Sequence, residues 1–181
     1  MAATGRELAG ATGVLTLCCG VGPVDAAAAT AAGIAAHRPS AILHVGIAGA
    51  RRGSGVTPVS LVIGSESIYC DLGVPGEWAP RTIASASELV AAARRALPGA
   101  TVLPIGTSAR VGGTTGCLVE AMEGFAVLRA AQLAGVPAVE IRAIANEIEE
   151  ADRGAWRFDE ALTAIAKATP RLVAEIAACV S

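Results

Sequence analysis

Ala41-Ile42-Leu43-His44-Val45-Gly46-Ile47-Ala48-Gly49 is the stretch that decides the fold. Its first five residues form a nearly continuous apolar run, and glycines close it. A strand with no alternating polar side must be buried on both faces, as in a parallel sheet covered by helices. Residues 138–144 read the same way. Shorter β-prone runs lie at residues 14–19, 59–63, 67–70 and 101–105. Helical segments separate them. Residues 24–37 are alanine-rich, with Pro23 suited to a first turn. Residues 87–97 have Ser87 as a cap and Pro98-Gly99 as a stop. Residues 123–133 end at Gly135 and Pro137. Residues 158–179 are amphipathic, with Asp159 and Glu160 at the positive end of the helix dipole. This alternation predicts an α/β fold: a single domain over residues 1–181, with a mixed, mainly parallel central sheet flanked by helices.

Composition narrows the function. Of 181 residues, 53% are hydrophobic and 17% charged, the reverse of a disordered chain. No run approaches the ~18–20 strongly apolar residues of a membrane span. No basic region followed by an apolar core opens the sequence, so a cytoplasmic protein without a membrane partner is expected. Fourteen basic residues stand against 16 acidic ones, a net charge of −2. A nucleic-acid binder carries a basic stripe with interleaved aromatics. Here the longest basic clusters are the pairs Arg51-Arg52 and Arg94-Arg95, so no nucleic-acid partner is expected. Cys18, Cys19, Cys70, Cys117 and Cys179 form no CxxC and have no histidine nearby. They read as reduced, mostly buried thiols, with no metal site. Large core residues are few among so much alanine and glycine. That predicts apolar surface buried between subunits of a homo-oligomer, a dimer or larger.

Four short motifs carry chemistry. Gly20-Val21-Gly22 sits between a β-prone run and a helix, where a dinucleotide fingerprint would lie, but Asp25 holds the place of the third glycine. It reads equally as a tight turn that lets a ligand approach the backbone. Ile47, Ala48 and Gly49 lie at the strand end where open α/β sheets bind ligands, or serve close packing. Glu120-Ala121-Met122-Glu123-Gly124-Phe125 places Glu123 near a helix start, in surroundings apolar enough to bury it. Asn146 lies just past the strand at residues 138–144, as a ligand group or as an Asx turn.

In this order the motifs resemble those of the nucleoside phosphorylase/nucleosidase superfamily: a GxGxxxAA turn, a strand ending G-x-A-G, a Met-Glu-Gly helix start and a strand ending R-A-I-x-[DN]. Residues 119–162, with Asp152-Arg153-Gly154-Ala155-Trp156-Arg157, are most similar to its branch that hydrolyses futalosine in menaquinone biosynthesis. The resemblance implies N-ribosidic cleavage of a 6-oxopurine nucleoside without metal or organic cofactor. It implies that Glu123 accepts the ribose hydroxyls, Met122 packs on the sugar and Asn146 meets the purine. Glu7, in Ala3-Thr4-Gly5-Arg6-Glu7, corresponds to the water-activating carboxylate. Arg110 and Arg157 are candidates for the substrate's carboxylate tail. The strand that would precede Ala3 is almost absent, so a shortened N-terminus is expected, with a very short hairpin between Glu7 and Val14 and a compressed segment at residues 114–119. Phosphorylases of the superfamily use an arginine and a serine where this chain has His44 and Ile47, which favours water over phosphate as nucleophile. The alternatives are a methylthioadenosine/S-adenosylhomocysteine-type nucleosidase, a phosphorylase, and a catalytically silent nucleoside-binding paralogue.

Overall fold

The structure, a computed structural model, describes residues 1–112 and 116–180. In chain order the elements are α1 (Pro23–His37), β1 (Ile42–Ala50), β2 (Leu61–Tyr69), β3 (Thr82–Ala84), α2 (Ser87–Ala96), β4 (Thr101–Thr107), β5 (Val119–Ala121), α3 (Gly124–Leu133), β6 (Ala138–Glu147) and α4 (Phe158–Val180). A 3-10 turn at Arg153–Ala155 precedes the last helix. The strands form one mixed sheet in the order β3-β2-β4-β5-β1-β6. The long ladders, β1 with β6 and β2 with β4, are parallel. The sheet also curls closed. The first half of β2 pairs with β6, and its second half pairs with β3.

Burial explains the layers. Leu89, Val139, Ile165 and Leu172 pack α2 and α4 on one side of the sheet. Ile42, Phe125, Val127 and Leu128 pack α1 and α3 on the other. Val62, Ile105, Val119 and Ile144 fill the inside of the curl. Each fully buried aliphatic side chain there contributes about 1.5–3 kcal/mol. Among the described residues, no helix is long and apolar enough to cross a membrane.

Several local expectations give way to tertiary pairing. Residues 14–19 are no strand: Cys18 makes a single parallel bridge with Ala2, and Val14 and Leu15 are exposed. Met1–Ala3 sits between this run and β1, with Cys19 N donating to Ala2 O (2.8 Å) and Val45 N to Met1 O (2.9 Å). The two runs at residues 59–63 and 67–70 are one strand, β2, whose pairing with β4 slips between Gly64 and Ser67. Ser87 is the first helical residue of α2, and Ala86 occupies its cap. Of the thiols only Cys19 is buried. β4 runs two residues past the β-prone run at 101–105, to Thr107. Residues 113–115 lie outside the described residues, so the compression expected at 114–119 is only partly covered.

One more contact positions the site. Pro170 lies inside α4, and the helix runs through it. Proline removes the hydrogen bond to the carbonyl four residues earlier. Gly10 packs directly on that carbonyl of Ala166, so closely that any Cβ would overlap it. The irregular segment after Ala3 is thereby seated on α4.

Candidate active site

A cleft of about 450 Å³ opens where the ends of β1 and β6 meet β5 and the segment after Ala3. That volume suits a nucleoside-sized ligand. Glu7, Ile47, Ala48, Gly49, Arg110, Met122, Glu123 and Asn146 all line it. Residues scattered from 7 to 146 therefore share one wall-to-wall site. Arg157 does not line it: its guanidinium pairs with Glu160 on the surface of α4. Arg153, four residues earlier in the 3-10 turn, does line it.

Glu7 is buried although it belongs to no helix or strand. Its carboxylate accepts hydrogen bonds from Thr4 N (2.8 Å), Thr4 Oγ1 (3.0 Å) and Ile47 N (3.2 Å). Three donors suit an ionised acceptor. The close approach depends on Gly46, where a Cβ would strike Arg142 Nη1 and come within 2.8 Å of Glu7 Oε1.

Glu123 stands at the cap of α3 without capping it. Thr107 Oγ1 takes that role by accepting from Phe125 N at 2.8 Å, which releases Glu123 toward the cleft. There its Oε1 accepts from Gly22 N (3.1 Å) and its Oε2 from Arg142 Nη2 (3.3 Å). The Gly20-Val21-Gly22 turn thus holds a carboxylate, a use that its resemblance to a dinucleotide fingerprint did not suggest.

Beneath both acids lies Arg142, fully buried. Its Nε donates to Glu140 Oε1 (2.7 Å) and its Nη2 to His44 Nε2 (2.6 Å). Burial works against the guanidinium charge, but Glu140, Glu123 and Glu7 outweigh it and raise the Arg142 pKa. Burial also pushes the Glu140 carboxyl up, against the pull of Arg142. The neighbouring Cys19 thiol is raised to about 11 by burial and by Glu123, so it stays neutral.

His44 is held well below its ordinary value of 6.5 by burial and by Arg142. Arginine can only donate, so Nε2 is the acceptor and the ring proton sits on Nδ1. The folded protein keeps this ring neutral, whereas the unfolded chain protonates it near pH 6.5. Stability is therefore fully present above that pH and falls below it, by up to about 1.4 kcal/mol per pH unit. His44→Gln, which keeps an acceptor for Arg142, should flatten the loss of melting temperature between pH 7 and pH 5. Equal losses in both proteins would contradict this account.

Asn146 lies within β6, which runs to Glu147, rather than past the strand's end. The β1–β6 register shifts between Ala48 and Gly49, and beyond the shift Gly49 faces Asn146. Such irregularities re-aim side chains near sites. The amide nitrogen donates to Glu147 O (2.8 Å). Glu120, on β5, and Met122, just after it, also line the cleft. Sequence reasoning did not assign Arg142, Arg153, Phe158 or Trp156 to the site. The Asp152–Arg157 motif was the available signal for two of them.

Residues 3–113 and 107–181 match the family described as the Phosphorylase superfamily. The futalosine hydrolase of Streptomyces coelicolor is 35% identical over an alignment that covers 86% of this chain and 77% of that protein. The futalosine hydrolase of Thermus thermophilus is 33% identical, covering 91% of this chain and 83% of its own. Among solved structures, futalosine hydrolase of Helicobacter pylori superposes with a TM-score of 0.84 over 96% of this chain and 95% of that one. At 16% identity, that likeness is one of fold. The 5'-methylthioadenosine/S-adenosylhomocysteine nucleosidase of Neisseria meningitidis, solved with methylthio-immucillin-A, has a TM-score of 0.72 and 29% identity. It covers 88% of this chain and 78% of that one.

Proposed function

This chain belongs to the Phosphorylase superfamily, and we propose that within it the protein is a nucleosidase. It hydrolyses the N-ribosidic bond of a 6-oxopurine nucleoside, futalosine, to hypoxanthine and dehypoxanthine futalosine, a step of menaquinone biosynthesis. The observation that carries this reading is the convergence of Glu7 and Glu123 on one cleft, across Arg142. Breaking the bond builds positive charge on the ribose and negative charge on the base. A carboxylate beside a water, and a second one accepting the sugar hydroxyls, answer the first demand. Glu7 activates the water, Glu123 accepts the hydroxyls, and Met122 packs on the sugar. Asn146 donates to the purine.

Water rather than phosphate is the nucleophile because the positions that would hold phosphate cannot. His44 is neutral and turned onto Arg142, and Ile47 has no hydroxyl. A second copy of the chain would pack on the apolar face of α1 and α3, where Val24 and Leu133 are exposed. Incubation with futalosine, methylthioadenosine and inosine, with and without phosphate, tests the reading. Phosphate-independent release of hypoxanthine from futalosine is expected. Adenine release from methylthioadenosine alone, or ribose phosphate as product, would replace this reading with one of the two enzyme alternatives. No base from any substrate would mark a silent paralogue.

Asn146 sets the base. An amide donates a hydrogen bond but transfers no proton, which suits a 6-oxopurine that leaves carrying negative charge. N7 and O6 of such a base both accept. Asn146→Asp should shift the ratio of hypoxanthine to adenine release by roughly tenfold toward adenine, the worth of about one hydrogen bond. An unchanged ratio would remove Asn146 from base recognition.

A further inference from the structure

Two thiols that the sequence leaves without a role meet in space. Cys70 directly follows β2, and Cys117 stands two residues before β5. They are 47 positions apart, yet their Sγ atoms lie 3.8 Å from one another. β4 runs between β2 and β5, and its Gly106 gives the sulfurs room: a Cβ there would lie 3.1 Å from both of them. Each backbone is fixed on its own side of that glycine. Cys70 N donates to Thr107 O (2.9 Å). On the other side Arg51 N donates to Leu118 O (2.7 Å), and Arg51 Nε to Cys117 O (3.1 Å). Both thiols are half-buried and within reach of small solutes, whereas Cys19 is buried. Neither lines the cleft, but both adjoin its wall. Asp71, next to Cys70, accepts from Ser108 Oγ (3.2 Å) and Ala109 N, at the base of the segment that brings Arg110 to the cleft. Glu120, three residues after Cys117, lines it too.

We propose that Cys70 and Cys117 are a redox modification site, which low-molecular-weight disulfides oxidise to an intramolecular disulfide. One protein thiolate attacks a sulfur of the small disulfide, and the first small thiol leaves. The second protein thiolate attacks the protein sulfur of that mixed disulfide, and the second small thiol leaves. The protein gives up two electrons and two protons, and the small disulfide takes them up as two thiols. Closing the bond brings the sulfurs from 3.8 Å to about 2.0 Å. Small rotations about the two Cα–Cβ bonds, over the bare backbone of Gly106, supply that approach. The bond then joins the end of β2 to the approach to β5 across β4. It restricts the unfolded chain over a separation of 47 residues, which stabilises the fold. The site is independent of the ribosidic reaction. It sets how firmly this wall of the cleft is held as the thiol–disulfide balance changes.

The test needs no turnover. The whole protein is treated with excess oxidised glutathione, its remaining thiols are capped under denaturing conditions, and it is digested with trypsin. Peptides 53–81 and 111–129, which hold Cys70 and Cys117, should be recovered joined, from protein of monomer mass. The oxidised protein should melt about 5–10 °C above the reduced one, and dithiothreitol should reverse the shift. Cys117→Ser, which keeps the shape of the side chain, should abolish the rise and leave glutathione attached at Cys70. Three results would each overturn the proposal. One is glutathione retained on both cysteines with no joined peptides. Another is preferential pairing of Cys18 or Cys179 with either thiol. The last is a joined form that melts no higher than the reduced protein.

Discussion

Glu7→Gln is expected to leave a folded protein whose turnover of futalosine falls by ~10²–10⁴-fold, the usual loss when a general base is removed. The carboxylate oxygens now accept from Thr4 N, Thr4 Oγ1 and Ile47 N. An amide keeps one accepting oxygen, so it turns an NH₂ toward donors on one side and takes no proton from water. Some loss of stability is expected, because either the Thr4 amide or the Ile47 amide loses its acceptor, at a cost of about 1–3 kcal/mol. Circular dichroism and a melting curve separate that effect from the catalytic one. A well-folded variant that retains the parent's rate within a fewfold would assign water activation to another carboxylate, with Glu120, which also lines the cleft, the next candidate.

The second large effect is expected at Glu123→Gln. Glu123 supplies the charged acceptor for two ribose hydroxyls, and hydrogen bonds to charged groups are about twice as strong as neutral ones. The expected fall in kcat/KM is on the order of a hundredfold, the worth of a charge-assisted hydrogen bond. Arg142 keeps Glu140 at 2.7 Å in the variant, so the buried guanidinium is not left without a counter-charge. The fold should survive for that reason. Product formation at near-parental efficiency would show that the sugar is held elsewhere.

How far the sequence could be read follows the range of the forces involved. β1 and β6 were legible because burial on both faces leaves a local mark, an apolar run. The four helices were legible from composition and stop signals. β3 and β5 were not, since three residues such as Thr82–Ala84 become a strand only when β2 supplies the partner. Residues 14–19 failed in the opposite sense: their β propensity met only Met1–Ala3. The cleft residues were legible where a motif accompanied them, as at Met122, Glu123 and Asn146. Arg157 and Arg153 share one motif, and only the turn at Arg153–Ala155 decides which of them faces the cleft. Nothing local marks Gly22 as a donor to Glu123, because that contact joins residues about a hundred positions apart.

The seat of Gly10 on the Ala166 carbonyl bears on how this protein responds to heat. The segment from Thr4 to Ala11 belongs to no helix or strand, and its backbone hydrogen bonds to itself are few, at Leu8 and Ala11. Such a stretch opens in excursions far less costly than global unfolding. Its docking depends on a proline in α4 that frees a carbonyl, and on a glycine that can reach it. Glu7 thus rides on a part of the molecule that opens locally, while Glu123 and Asn146 are held by the sheet and its helices. Inactivation on warming is then a local event, reversible on cooling, that precedes loss of the helices. A change at Gly10 or Pro170, remote from any substrate, lowers the temperature at which it begins.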